Sequence, residues 1–103
     1  MQNIEISSPA TGSYALKGNL IFNTINKAVL NTLDFKQAPS SMTIDLHEVG
    51  EIDSAGLALL IEWIKFAQAH QKKLYFNNIP AQLTALAKLS YISEIDLFTT
   101  KNN

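Results

Sequence analysis

The apolar positions of this chain change period several times, and each change predicts an element. Residues 4–8 alternate weakly, as an edge strand does, and residues 14–17 resume in the same style. Pro9-Ala10-Thr11-Gly12 between them is turn chemistry, so a hairpin is the economical reading. Gly18-Asn19-Leu20 follows as a break. Ile25, Val29 and Leu33 then recur at helical spacing behind a candidate cap at Asn23 or Thr24, and Ala38-Pro39-Ser40-Ser41 ends that helical region.

The central stretch begins with β-branched residues, and residues 43–46 read as a buried strand. Residues 47–53 read as a loop with three carboxylates, Glu48, Glu51 and Asp53. From Ser54 the spacing turns helical and runs to about His70. Asp53 or Ser54 can cap this helix, because a short side-chain oxygen reaches the N2 or N3 amide. Small Ala55 and Gly56 leave the first turn with little bulk over it. The expected result is an acidic loop feeding a bare helix N-terminus that carries a hydroxyl, a surface suited to contact.

On a helical wheel, Ala58, Glu62, Lys65 and Ala69 form the polar face of this helix, with Glu62 and Lys65 placed for a weak surface pair. Leu60, Trp63, Ile64 and Ala67 centre the opposite face. Leu57 and Ile61 flank it on one side, Leu59 and Phe66 on the other. That arc is wider than one sheet contact requires. Either neighbouring helices cover the flanks, or one flank is a surface for a partner protein.

Lys72 and Lys73 bring cations to the negative end of the helix. Residues 74–76 form a short strand, Asn77-Asn78 turns, and Pro80 suits the first position of a third helix. Leu83, Leu86, Ala87 and Leu89 make that helix amphipathic, and Tyr91-Ile92 closes it. Residues 95–98 are expected to form a last strand, and residues 99–103 a polar, frayed tail. The alternation predicts a single α/β domain over residues 1–103, with helices packed on a mixed sheet of four to five strands.

Composition narrows the function. The chain of 103 residues is 47% hydrophobic and 17% charged, with a net charge of −1, which suits one domain with a modest core. All eight basic residues are lysines, so no basic patch or arginine fork points to nucleic acid. Without cysteine there is no disulfide framework, thiolate nucleophile or cysteine metal site. No apolar run reaches the roughly 18 residues of a membrane span. Met1-Gln2-Asn3-Ile4-Glu5 has neither the basic nor the apolar region of a signal peptide, so the expected location is the cytoplasm.

The candidate chemistry is that of recognition rather than catalysis. Asp45, Glu48, Glu51 and Asp53 place four of the nine acids within nine residues. They complement a basic patch on a partner, or form a solvated loop. Their spacing matches no calcium loop, and no histidine cluster backs them, so no metal site is expected. His47 and His70 lie far apart and outside any nucleophile motif, which suits surface or capping roles. Gly56 stands alone, with no Gly-Lys-Ser or Gly-Lys-Thr to make a phosphate loop. No cofactor and no enzymatic activity are expected.

Asp45-Leu46, followed by Ile52-Asp53-Ser54-Ala55-Gly56-Leu57, resembles the signature of the STAS domain family, found in anti-sigma-factor antagonists and in the cytoplasmic tails of anion transporters. The resemblance covers nearly the whole chain. Within the family, Gly56-Leu57-Ala58-Leu59-Leu60 and Leu86-Ala87-Lys88-Leu89 are similar to the MlaB-like branch. Its members are small cytoplasmic subunits of the Mla phospholipid-transport ABC systems of Gram-negative bacteria. One departure matters. In anti-sigma antagonists the motif reads Asp, a hydroxyl residue, Ser and Gly, and the second hydroxyl is the one phosphorylated. Here that position is Ala55, which leaves Ser54 as the residual candidate for phosphorylation. A phosphate on Ser54 would suit the helix dipole but sit badly beside Asp53 and Glu51.

The resemblance implies a non-enzymatic accessory subunit that docks on the ATPase of an ABC transporter, stabilises it and supports phospholipid traffic that maintains outer-membrane asymmetry. The expected contact residues are Glu51, Asp53, Ser54, Ala55, Gly56 and Leu57. Through the ATPase the chain would be peripheral to the inner membrane, without insertion into it. The alternative is an anti-sigma-factor antagonist in a partner-switching cascade, against which Ala55 counts. A third class, a small-molecule sensor in the sheet–helix crevice, finds no specific polar constellation in the sequence.

Overall fold

A computed structural model describes residues 4–89. The predicted last strand at 95–98, the helix closure at Tyr91-Ile92 and the tail lie outside the described residues. The hairpin pairs β1 (Glu5–Ala10) with β2 (Ser13–Leu20) antiparallel. Gly12 turns it at φ +78°, a left-handed conformation that glycine adopts without a Cβ clash. Strand β3 (Ser41–Ile52) adds parallel to β2, and β4 (Lys73–Asn77) adds parallel to β3. The result is a mixed four-stranded sheet in the order β1-β2-β3-β4, within a single α/β domain. Met42, Thr43 and Ile44 are buried in succession, so β3 is covered on both faces, as parallel strands usually are.

Three expectations are corrected. The break at Gly18-Asn19-Leu20 is absent, because β2 continues through Leu20 to pair with Ile52. The helix expected from Ile25 to Leu33 is a single turn, α1 (Lys27–Leu30), capped by Asn26, whose Oδ1 accepts from the Val29 amide at 3.0 Å. Beyond it the polar side chains compete with the helical ladder. The Thr32 hydroxyl donates to the Ala28 carbonyl, and Asp34 Oδ1 accepts from the amides of Lys36 and Gln37. Leu33 and Phe35 still reach the core, from irregular backbone.

The third correction concerns the acidic stretch, which is strand up to Ile52. From Ala15 to Lys17, β2 advances two residues while β3 advances three, from Asp45 to Glu48; the same happens between Gly18/Val49 and Leu20/Ile52. Each irregularity inserts one extra residue into β3. The inward positions Leu46, Val49 and Ile52 therefore fall three apart, and a two-residue alternation is absent. That spacing, with the charges between, imitates a loop.

The long helix α2 (Ser54–Ala69) forms as expected, but its cap is Asp53 and Ser54 is its first helical residue. It stops in a Schellman arrangement around Gln71 at φ +58°: the Lys72 amide donates to the Ala67 carbonyl at 2.8 Å, and the Gln71 amide to that of Gln68 at 3.1 Å. The Lys72 ammonium bonds the Ala38 carbonyl and fastens this end to the segment entering β3. Leu60 and Trp63 are completely buried. For Leu60 such burial contributes about 2 kcal/mol. Both flanks of the wide apolar arc have neighbours. Phe35 stacks edge-on against Phe66, the Trp63 indole donates to the Leu30 carbonyl at 3.0 Å, and α3 (Ala81–Leu89) packs against α2 through the core that holds Leu83 and Ala87. The Glu62–Lys65 pair forms at 3.3 Å on the exposed face. Among the described residues, no helix is long and apolar enough to cross a membrane.

Candidate functional site

The N-terminus of α2 is assembled around the Asp53 carboxylate. Its backbone is extended (φ −119°, ψ −169°), which leaves the side chain free to fold back over the first turn. Oδ1 accepts from the Ala55 amide at 2.9 Å and the Gly56 amide at 3.3 Å. Oδ2 accepts from the Phe22 amide at 3.0 Å, across 31 positions of sequence. The Phe22 hydrogen bond, followed by those from Ala55 and Gly56, outweighs burial and holds the carboxyl below its ordinary pKa. The Asp53 amide in turn donates to the Leu20 carbonyl at 3.2 Å. One residue thereby joins the end of β2, the segment after it and the start of α2.

Ser54 projects beside this cap. It is exposed, and its hydroxyl has no hydrogen-bond partner among the described residues. Glu51 is exposed, Asp53 and Ala55 are half-buried, and Gly56 and Leu57 are buried. Of the six predicted contact residues, the last two thus shape the surface from beneath. At Gly56, α2 lies tight against the sheet: a Cβ there would collide with the Leu20 carbonyl oxygen and lie 2.8 Å from Leu20 Cβ and 3.0 Å from Ile52 Cγ2.

Beside Ser54 runs an open groove of about 390 Å³. Phe22, Ile25 and Leu30 form one wall; Ala55, Ala58 and Leu59 form the other. Lys27 and Glu62 add its charges. Phe22 is 78% exposed, an aromatic ring standing in water on a well-tied turn. The Thr24 hydroxyl bonds the carbonyls of Asn19 and Ile21 and accepts from the Ile21 amide, and the Thr24 and Ile25 amides return to the Ile21 carbonyl. The sequence reading missed Phe22. Its only signal is a large apolar residue next to Asn23 and Thr24 in a break, which periodicity does not register.

The four acids separate by role. Asp45 Oδ1 accepts from the His47 amide at 3.0 Å and the Asn78 side chain at 2.9 Å, and Oδ2 lies 2.9 Å from His47 Nδ1. Burial raises its pKa, but the bonds from Asn78 and His47 together prevail and hold it low. Asp45 therefore ties the end of β4 to β3. Asp53 is committed to the cap. Glu48 and Glu51 are exposed, without ion-pair partners among the described residues. The β3 backbone around Glu51 is held from both sides: Asn19 Oδ1 accepts from the Glu51 amide at 2.8 Å, and the Gln82 side chain of α3 donates to the Gly50 carbonyl at 2.9 Å. His47 pairs with Asp45 at the surface, and the His70 amide closes the last turn of α2. Among the described residues, no three His, Asp or Glu side chains converge as metal ligands.

Comparison with known proteins gives this geometry a setting. A family model described as "Mlab, STAS domain" matches residues 15–98. No curated protein matches the sequence. Among solved structures, the chain is similar to the STAS domain of an antisigma-factor antagonist from Rhodobacter sphaeroides, with TM-score 0.60 and 14% identity over 75% of this chain and 86% of that one. It is also similar to the anti-sigma factor antagonist SpoIIAA in its unphosphorylated form, with TM-score 0.65 and 14% identity over 88% of this chain and 83% of that one. At such identity the structural likeness speaks for the fold.

Proposed function

The chain belongs to the STAS domain family, and from that premise we propose that it is a non-enzymatic accessory subunit of an ABC transporter. It binds the ATPase, stabilises its assembled form and supports phospholipid traffic that maintains outer-membrane asymmetry. In this reading it is cytoplasmic and peripheral to the inner membrane through the transporter. The observation that carries it is the α2 N-terminus: an exposed, unpartnered Ser54 hydroxyl is followed by Ala55. The phospho-switch of the anti-sigma antagonists uses an acceptor hydroxyl at that second position, and a methyl group cannot take a phosphoryl group. A permanent contact surface needs none. The Mlab description of the matching family model supports the same reading.

The test is a tagged pull-down from native membranes extracted in mild detergent, with partners identified by mass spectrometry. An ABC ATPase recovered with its permease supports the proposal. A soluble serine kinase or a sigma-factor regulator recovered in its place overturns it in favour of an anti-sigma-factor antagonist.

A further inference from the structure

We propose that Phe22 is the apolar anchor of the ATPase-binding surface and that Asp53 is its positioning residue, fixing Phe22 against α2 so that one groove receives an apolar helix ridge of the ATPase. This inference rests on the function proposed above and names how that surface grips its partner. The groove runs directly into the Ser54 surface, because Ala55 lies both next to Ser54 and in the groove wall. Its exposed lining is almost wholly apolar, so burying it against a partner is favourable, and aromatic residues, phenylalanine among them, are enriched in such contacts. Charge at the rim defines the occupant further. Glu62 is already paired with Lys65, whereas Lys27 has no ion-pair partner among the described residues. The fitting ridge is therefore aliphatic or aromatic and carries a carboxylate at the end that meets Lys27.

The two Asp53 oxygens do separate things. Oδ1 caps the helix, and Oδ2 holds the Phe22 amide. Asparagine caps as well as aspartate. Its side chain has only one acceptor oxygen, however, so with Oδ1 on the cap it presents an N–H₂ to the Phe22 N–H, donor against donor. Asp53→Asn thus keeps the helix and releases the Phe22 segment.

The experiment titrates the purified ATPase with the wild-type chain, Phe22→Ala, Asp53→Asn, the double variant and Ser54→Asp. Amide exchange is followed on the free chains. Both single variants are expected to weaken binding by at least about tenfold, the scale of an anchor residue. The double variant should bind no worse than Phe22→Ala alone, because both changes remove the same contact. In free Asp53→Asn, the Phe22 amide should exchange faster while the interior of α2 stays protected. Wild-type affinity in Asp53→Asn, or losses that add in the double variant, overturns the positioning role. Wild-type affinity in Phe22→Ala removes the anchor, and a concentration-dependent dimer abolished by Phe22→Ala would assign the groove to a second copy of the chain. Loss of binding in Ser54→Asp in either case leaves the accessory-subunit reading standing. No binding by the wild-type chain removes that reading and this inference with it.

Discussion

Asp53 and Ser54 are neighbours with opposite assignments, and substitution separates them. Asp53 satisfies three amides that water or nothing would otherwise meet. Asp53→Ala should cost about 1 kcal/mol from the lost cap, with the Phe22 bond adding to it, and denaturant unfolding measures the sum. The pKa of Asp53 is lower in the folded chain than in the unfolded one. Its stabilisation is therefore complete above the ordinary aspartate value of 3.8 and is lost as pH falls through the lower folded value. Asp45 acts in the same sense. As pH falls below the ordinary aspartate value of 3.8, Asp45→Asn and Asp53→Asn should each flatten the fall of unfolding free energy. An unchanged slope would deny the depressed pKa.

Ser54 is the converse case. Its hydroxyl bonds nothing among the described residues, so Ser54→Ala should leave the unfolding free energy within about 0.5 kcal/mol of wild type, as for a surface site. Ser54→Asp places an acid on the first turn, which the helix dipole favours. It should fold normally and still lose ATPase affinity by steric and charge mismatch. Thermal melts and a binding isotherm on the same preparation separate the two effects. Unchanged affinity in Ser54→Asp would move the interface elsewhere.

At the scale of elements, the contact of α2 with β2 at Gly56 decides how closely helix and sheet approach. Gly56→Ala replaces a poor helix former by the best one, a gain of about 1 kcal/mol in an exposed helix. Here the added methyl meets a backbone carbonyl and the Leu20 and Ile52 side chains, none of which is a free chain end. Overpacking of this kind costs about 1–3 kcal/mol and wins, so the variant should be destabilised and a urea titration should show it. A stabilised Gly56→Ala would mean that α2 stands off the sheet.

The same contact shows what was legible beforehand. α2 was readable because its cap, length and apolar arc all agree. Gly56 was readable only as a small residue, since the neighbour it must admit, Leu20, lies 36 positions away in sequence. The hairpin was legible from Gly12 and its flanks. β3 beyond Leu46 was not, because two inserted residues turn its period from two to three. α1 misled for a related reason: Ile25, Val29 and Leu33 keep helical spacing while the side chains of Thr32 and Asp34 bond the backbone near them and the helix stops at Leu30. Of the candidate site, the Asp53 cap and the exposed Ser54 beside it could be placed from sequence. The Phe22 wall could not, because a hydrogen bond across the fold places it there.

For the whole molecule, a net charge of −1 provides no long-range field, so any steering of a partner depends on where charges are left free. The fold consumes two of the four clustered acids: Asp45 in joining β3 to β4, and Asp53 in capping α2. Glu48 and Glu51 remain at the surface on the stretch of β3 that leads to Ser54. Glu48 also lies in register with Lys17 of β2, so a charge-reversed variant would set two cations side by side. Neutral Glu48→Gln/Glu51→Gln avoids that and removes only the free acids. Charges at the rim of an interface act chiefly on the rate of encounter. At low ionic strength the double variant should associate with the ATPase severalfold more slowly than wild type, with an unchanged dissociation rate and melting temperature. By about 1 M salt, where the screening length falls to about 3 Å, the two association rates should converge. Equal rates at every salt concentration would leave these acids as solvated strand residues, with recognition confined to Ser54 and the groove beside it.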